Sequence, residues 1–223
     1  GVALGGLLPG APRLRARPAA GGWVLDGTSP WVSGIGRIDV LQVAARDDAG
    51  TVVSALVDAR AGATIDIEPP RELVAVTASA NAPVHFRDHH VPAERITSLQ
   101  SYAERMARDR EVIRMHAALA LGVAARCARL AGESPIDGQI AAVRDRLDAA
   151  TAETMPPARA AASDLALRAS AYLVAVSGSR SIARDQHAQR LAREALFLVV
   201  FGSRPAVRDA LLQTLAREGA PRP

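Results

Sequence analysis

Few residues in this sequence carry reactive chemistry, and most of them stand where it is disfavoured. Cys127, the single cysteine, excludes an internal disulfide. It ends the apolar run Ala-Leu-Gly-Val-Ala-Ala-Arg-Cys, which suits a small buried thiol better than a nucleophile. His89 and His90 are neighbours, so on a strand they would point to opposite faces. No cysteine or carboxylate cluster joins them at ligand spacing, so solvated loop histidines are expected and no metal site. Glu111 lies in 105–114, where acids and bases are interspersed, and reads as a surface ion-pair partner. Gly178-Ser179 interrupts a helical pattern and reads as a helix-ending turn. Trp23 and Trp31, read alone, are core aromatics of a β-domain.

The surroundings of these residues change half-way along the chain. Up to about Pro92 the sequence is rich in Val, Gly, Pro and Thr, and beyond it in Ala, Leu and Arg. Short apolar or alternating runs at 14–18, 23–26, 30–33, 40–45, 52–58, 72–78 and 84–86, broken by Gly-Gly, Asp-Gly and Pro-Pro, predict an antiparallel barrel or sandwich. Asp47 to Gly50 is the clearest hairpin signal. From Ala93 the period becomes helical: Val112, Met115, His116, Leu119, Ala120, Val123 and Ala124 share one stripe, predicting a long helix over about 99–130. Further helices are expected at 140–150, from Pro157 to Val176, from about 186, and over 207–215. Four or five helices on short loops make an antiparallel bundle. The fold class is therefore α+β, with domains at 1–94 and 95–223.

The 27 basic residues are all arginines, set among 23 acids. Aromatics are scarce, so no nucleic-acid groove is expected. No apolar stretch approaches bilayer length, and a single cysteine fits a reducing compartment, so a soluble cytoplasmic protein without membrane attachment is expected. The sequence opens in mid-pattern at Gly1, from which missing upstream sequence is expected.

Order and local motifs together resemble the acyl-CoA dehydrogenase family, in which a β-domain feeds a four-helix bundle. Gly22-Trp-Val-Leu-Asp-Gly-Thr-Ser-Pro-Trp-Val-Ser33 resembles the segment that lies beside the flavin. The resemblance implies that Trp31 walls the isoalloxazine ring and that the Ser33 hydroxyl bonds its edge. Val84-His-Phe-Arg-Asp-His-His-Val-Pro-Ala93 is similar to the strand that leads into the bundle. Val-Ala-Val-Ser-Gly-Ser-Arg-Ser-Ile resembles a Gly-rich turn against the adenosine-diphosphate part of FAD, which implies a cofactor-binding role for Gly178 and Ser179. His187-Ala-Gln-Arg-Leu-Ala-Arg193 is similar to the segment that follows it.

The family pattern is incomplete. Segment 132–138 has neither the Arg nor the Phe of the family's pyrophosphate-binding loop, and Ala175 replaces the turn glutamine. Residues 201–205 hold no carboxylate where the usual catalytic base stands, which leaves Glu111 as the candidate base. The family's N-terminal helical domain has no counterpart here. The resemblance implies a divergent, fragmentary or non-catalytic flavoprotein chain of α,β-dehydrogenation. Its cofactor would be FAD, its substrate an acyl-CoA, its electron acceptor like electron-transfer flavoprotein, and its assembly a homo- or hetero-oligomer through the bundle. The competing expectation is a helical-bundle binding or assembly protein that has lost the cofactor.

Overall fold

In the computed structural model, which describes residues 1–216, the Val-rich half forms eight strands. They are β1 (Val2–Ala3), β2 (Leu14–Ala19), β3 (Gly22–Val32), β4 (Val40–Arg46), β5 (Thr51–Asp58), β6 (Ile65–Ile67), β7 (Ala82–Pro92) and β8 (Ile96–Ser101). One sheet joins them in the order β6-β7-β3-β2-β4-β5-β8, with β1 on β4. The β1–β4 and β2–β4 pairings are parallel and the others antiparallel. The antiparallel expectation therefore holds apart from a short parallel seam.

Alternation sets which side chains enter the core. Leu14, Leu25, Leu41, Val43, Val53, Val84 and Phe86 meet in one buried cluster, with Trp23 packed against it. The other face of β4–β5 is covered locally. Leu7, Ala44 and Val52 pack with Tyr102, whose ring lies 3.9 Å from the Arg46 guanidinium carbon. Asp47 closes the β4–β5 hairpin by accepting the Thr51 N–H at 2.6 Å, as the turn chemistry predicts.

Three segments depart from the sequence reading. Asp26-Gly27 does not end a strand but bulges inside β3, where the register with β7 shifts. Gly27 is required there: φ is +115°, and a Cβ would collide with the Arg13 carbonyl. Segment 72–78 is not a strand, because Val76 turns left-handed (φ +53°) into a single helical turn at Thr77–Ser79. Residues 96–101 pair with β5 as an edge strand, so the long helix starts later than expected. The first unit consequently runs Gly1–Ala107, beyond the boundary expected at 94–95.

The second unit begins at Arg108. After α1 (Tyr102–Ala107), which belongs to the first unit, come α2 (Asp109–Ala131), α3 (Ile136–Asp148), α4 (Met155–Ser177), α5 (His187–Val200) and α6 (Pro205–Leu215). The second unit thus has five described helices, within the four or five expected. Prolines in the first turns of α4 and α6 cost no hydrogen bond. Gly132 and Gly178 end α2 and α4 at positive φ. α4 packs against α2, α3, α5 and α6, and it buries Ala158, Ala162, Leu165, Ala166 and Ala169. Cys127 is fully buried, and burial pushes its thiol up to about 11, which removes it as a nucleophile. Among the described residues no helix is long and apolar enough to cross a membrane.

Candidate functional site

Trp31 stands near the end of β3, within a second register shift against β7 between Ser29 and Val32, and Ser33 follows directly after the strand. Val32 between them is fully buried, whereas Trp31 is 56% exposed and Ser33 is exposed. The indole is thus not a core aromatic, and both expected site residues are open to solvent. The Ser33 hydroxyl donates to Asn81 Oδ1 at 2.8 Å, and the Arg71 guanidinium lies 5.1 Å from the Trp31 ring centroid. An exposed indole beside a hydroxyl can stack a planar ring and bond its edge.

Gly178 and Ser179 lie in the other unit, at the end of α4. Gly178 (φ +69°) is followed by a tight turn, Ser179–Ile182, and its carbonyl accepts the Ser181 N–H at 3.0 Å. Both are exposed, so backbone there is open to approach. Buried Ser181 keeps a hydroxyl without a partner among the described residues. Segment 132–138 supplies a cap, Ser134 Oγ accepting the Ile136 N–H at 3.3 Å, and no cation.

Glu111 sits in the first turn of α2 and is exposed. Its carboxylate makes no hydrogen bond or ion pair among the described residues, so the expected pairing does not form. Arg114 on the same helix bonds Asp148 instead. The histidine pair also differs from expectation. His89 and His90 lie on β7 rather than in a loop, His89 Nδ1 2.9 Å from Thr64 Oγ1 and His90 Nε2 3.2 Å from the Ala20 carbonyl. Burial, then the His90 charge, lowers the His89 pKa. No metal-holding group of His, Cys, Asp or Glu occurs among the described residues.

The sequence reading missed a polar cluster behind residues 201–204, where the family would carry its base. Arg159 is 2% exposed and has no carboxylate partner among the described residues. It donates to Ser163 Oγ and to the Leu198 and Phe201 carbonyls at 2.8 and 3.4 Å, capping α5 from within the core. Burial lowers its pKa to about 10, which leaves it charged at neutral pH. Arg204 grips Asp109. The His116 ring meets Phe201 edge-on with centroids 4.9 Å apart, and its Nδ1 is buried without a hydrogen bond. Burial first, then the Arg159 and Arg204 charges, lowers the His116 pKa against the pull of Asp109. Residues 201–204 thus form a pinned structural corner. The sequence signal for it was Arg159 and Ser163, four apart in the alanine-rich first half of α4.

An open cavity of about 620 Å³ in the first unit, bordered by Asp58, Arg60, His89 and Arg95, was also not foreseen. Arg95 closes on Asp58 at 2.6 Å.

No protein-family model and no curated protein sequence matches the chain. Solved structures do. Butyryl-CoA dehydrogenase from Megasphaera elsdenii shares 18% identity at a TM-score of 0.74, over 97% of this chain and 68% of that one. A glutaryl-CoA dehydrogenase from Mycobacterium smegmatis in complex with FADH2 shares 16% at a TM-score of 0.72, over 99% of this chain and 67% of that one. The electron transferring flavoprotein of Acidaminococcus fermentans shares 18% at a TM-score of 0.75, over 97% and 68% respectively. The chain thus spans about two thirds of each of these structures, and across nearly its whole length it has the fold of the acyl-CoA dehydrogenases.

Proposed function

We propose that this chain is a divergent acyl-CoA dehydrogenase-type flavoprotein subunit that binds FAD weakly and is inactive by itself. The observation that carries this reading is the exposed Trp31–Ser33 pair at the end of β3, in a chain with that fold. Trp31 would stack against the flavin ring and shield it from water, and Ser33 would donate to the ring edge once its bond to Asn81 is exchanged. The exposed backbone at Gly178 and Ser179 would approach the dinucleotide end. The pyrophosphate is poorly served, since 132–138 contains no arginine.

Bound flavin would accept the β-hydride of an acyl-CoA thioester. Removal of the α-proton falls to a protein base, and Glu111 is the carboxylate this chain offers. A base for a carbon acid has to be shielded and close to the substrate. Glu111 is exposed on α2, so it would need a partner subunit packed over it, and electrons would pass to an acceptor resembling electron-transfer flavoprotein. Oligomerisation through the helical unit and a cytoplasmic location belong to the same reading.

The second reading, an assembly protein without cofactor, is favoured by the missing pyrophosphate cation and by the absence of any carboxylate at 201–205. The test is the absorbance of the purified protein with added FAD, together with oxidation of several acyl-CoAs by an artificial acceptor. A flavin spectrum retained with little turnover is the expected result. Rapid turnover would overturn the claim of inactivity, and absence of any flavin binding would favour the assembly protein.

A further inference from the structure

The face of Trp31 that a ring would use is attended by the chain's own Arg71. Arg71 belongs to the segment between β6 and β7, whose ends are joined by the Arg71 N–H donating to the Asn81 carbonyl at 2.8 Å. The segment is fastened to the chain just beyond β3. The Ser79 and Ala80 carbonyls accept the Gly34 and Ile35 N–H groups at 2.7 and 3.2 Å. Arg37 Nη1 donates to the Ala78 carbonyl at 3.3 Å, and Ser33 donates to Asn81. Both residues proposed to meet the ring are therefore engaged by one segment.

That segment is strained. Val76 and Ala80 hold positive φ values of 53° and 45°, and a β-branched residue rarely adopts that conformation. Val74 and Val76 are 58% and 40% exposed, and only the small Ala75 is buried between them.

We propose that segment 71–81 is a strap gating the Trp31 ring site: Arg71 must leave the indole before a planar ring can stack on it. This rests on the flavin reading above. A guanidinium and an aromatic ring compete for the same π face, and an exposed cation–π contact is weak enough for a stacked ring to displace. Removing Arg71 should then tighten ring binding by about two- to five-fold, the equivalent of one exposed contact. Relieving the backbone strain with Val76→Gly should favour the fastened strap and weaken ring binding. A role confined to stability would not move the two variants in opposite directions.

The test uses riboflavin, which has the ring without phosphates and so does not depend on the absent pyrophosphate arginine. Riboflavin is titrated into the wild type, Arg71→Ala and Val76→Gly. Acrylamide quenching of Trp31, isolated by subtracting the emission of Trp31→Phe, is measured without ligand. Arg71→Ala should quench more readily and bind riboflavin more tightly, and Val76→Gly should bind it more weakly. Unchanged quenching in Arg71→Ala would overturn the strap whether or not flavin binds. Riboflavin binding of equal strength in wild type and Arg71→Ala would overturn the gate and leave the flavin site standing. No riboflavin binding by any variant would overturn the flavin reading and the gate with it.

Discussion

Arg204 and Asp109, 95 positions apart, meet through three contacts, Nη2 to Oδ1 at 2.8 Å and Nε to Oδ2 and Oδ1 at 3.0 and 3.2 Å. The side chains are only 19% and 17% exposed, so the pair is shielded, and removing one partner leaves a poorly solvated charge. Asp109→Ala should destabilise the helical unit by about 3 kcal/mol, the lower end for a broken buried pair. Arg204→Ala should cost less than the two losses summed when combined with it, because the interaction is lost only once. Urea denaturation of both single variants and the double variant measures this.

Arg159 should be more sensitive. Arg159→Leu removes the donors that satisfy the Leu198 and Phe201 carbonyls and leaves Ser163 to cap α5 alone. Unsatisfied buried carbonyls cost about 1–3 kcal/mol each, and a loss of about 2–4 kcal/mol is expected in the same denaturation experiment. A loss below about 0.5 kcal/mol would mean that water replaces the cap.

Stability should fall on mild acidification. His116 and His89 both have folded-state pKa values below the ordinary histidine value, so the unfolded chain takes up protons first as pH drops. Their contribution is complete above about pH 6.5 and is lost as pH falls from there through the folded values. His116→Gln should flatten the dependence of the urea midpoint between about pH 7.5 and 5.5. An unchanged slope would show that His116 titrates alike in both states.

Gly27 should tolerate no side chain. Gly27→Ala places a Cβ against the Arg13 carbonyl at a φ of +115° and should cost more than about 2 kcal/mol. Gly10→Ala serves as the control: its φ is also positive, at +84°, but the space around it is open, so it should cost less. Thermal midpoints of the two variants decide between strain and steric collision.

Much of this architecture is legible in the sequence where the determinants are local. The Asp47–Gly50 hairpin and the breaks at Gly132 and Gly178 each follow from neighbours in the chain, as does the helical period of α2, but not its buried stripe: Ile113, Ala117, Ala120 and Ala124 face the core, whereas Met115 and Leu119 of the expected stripe are exposed. What is not legible depends on partners far away. Ile96–Ser101 becomes a strand because β5 lies beside it, and nothing in its own residues separates it from a helix start. Val74-Ala75-Val76 alternates like a strand, yet the left-handed Val76 breaks it. Arg159 is surrounded in sequence by alanines, and its acceptors lie 39 and 42 residues away, so no periodicity marks it as buried. Glu111 stands in a charged run that implies pairing, but Arg114 finds its acid on α3.

The most direct test of the flavin reading is a titration of FAD into wild-type protein and Trp31→Ala, followed by flavin absorbance. Trp31 is 56% exposed, so its replacement should leave the fold intact. The account predicts saturable binding to the wild type that is weaker than micromolar, because a missing charge-assisted phosphate contact forfeits about 1.5–3 kcal/mol, or about tenfold and more in affinity. It predicts a further loss of about tenfold in Trp31→Ala, the size of one stacking contact. Equal affinity in the two proteins, or no saturable binding to the wild type, would contradict the assignment of Trp31 and Ser33 to a flavin ring.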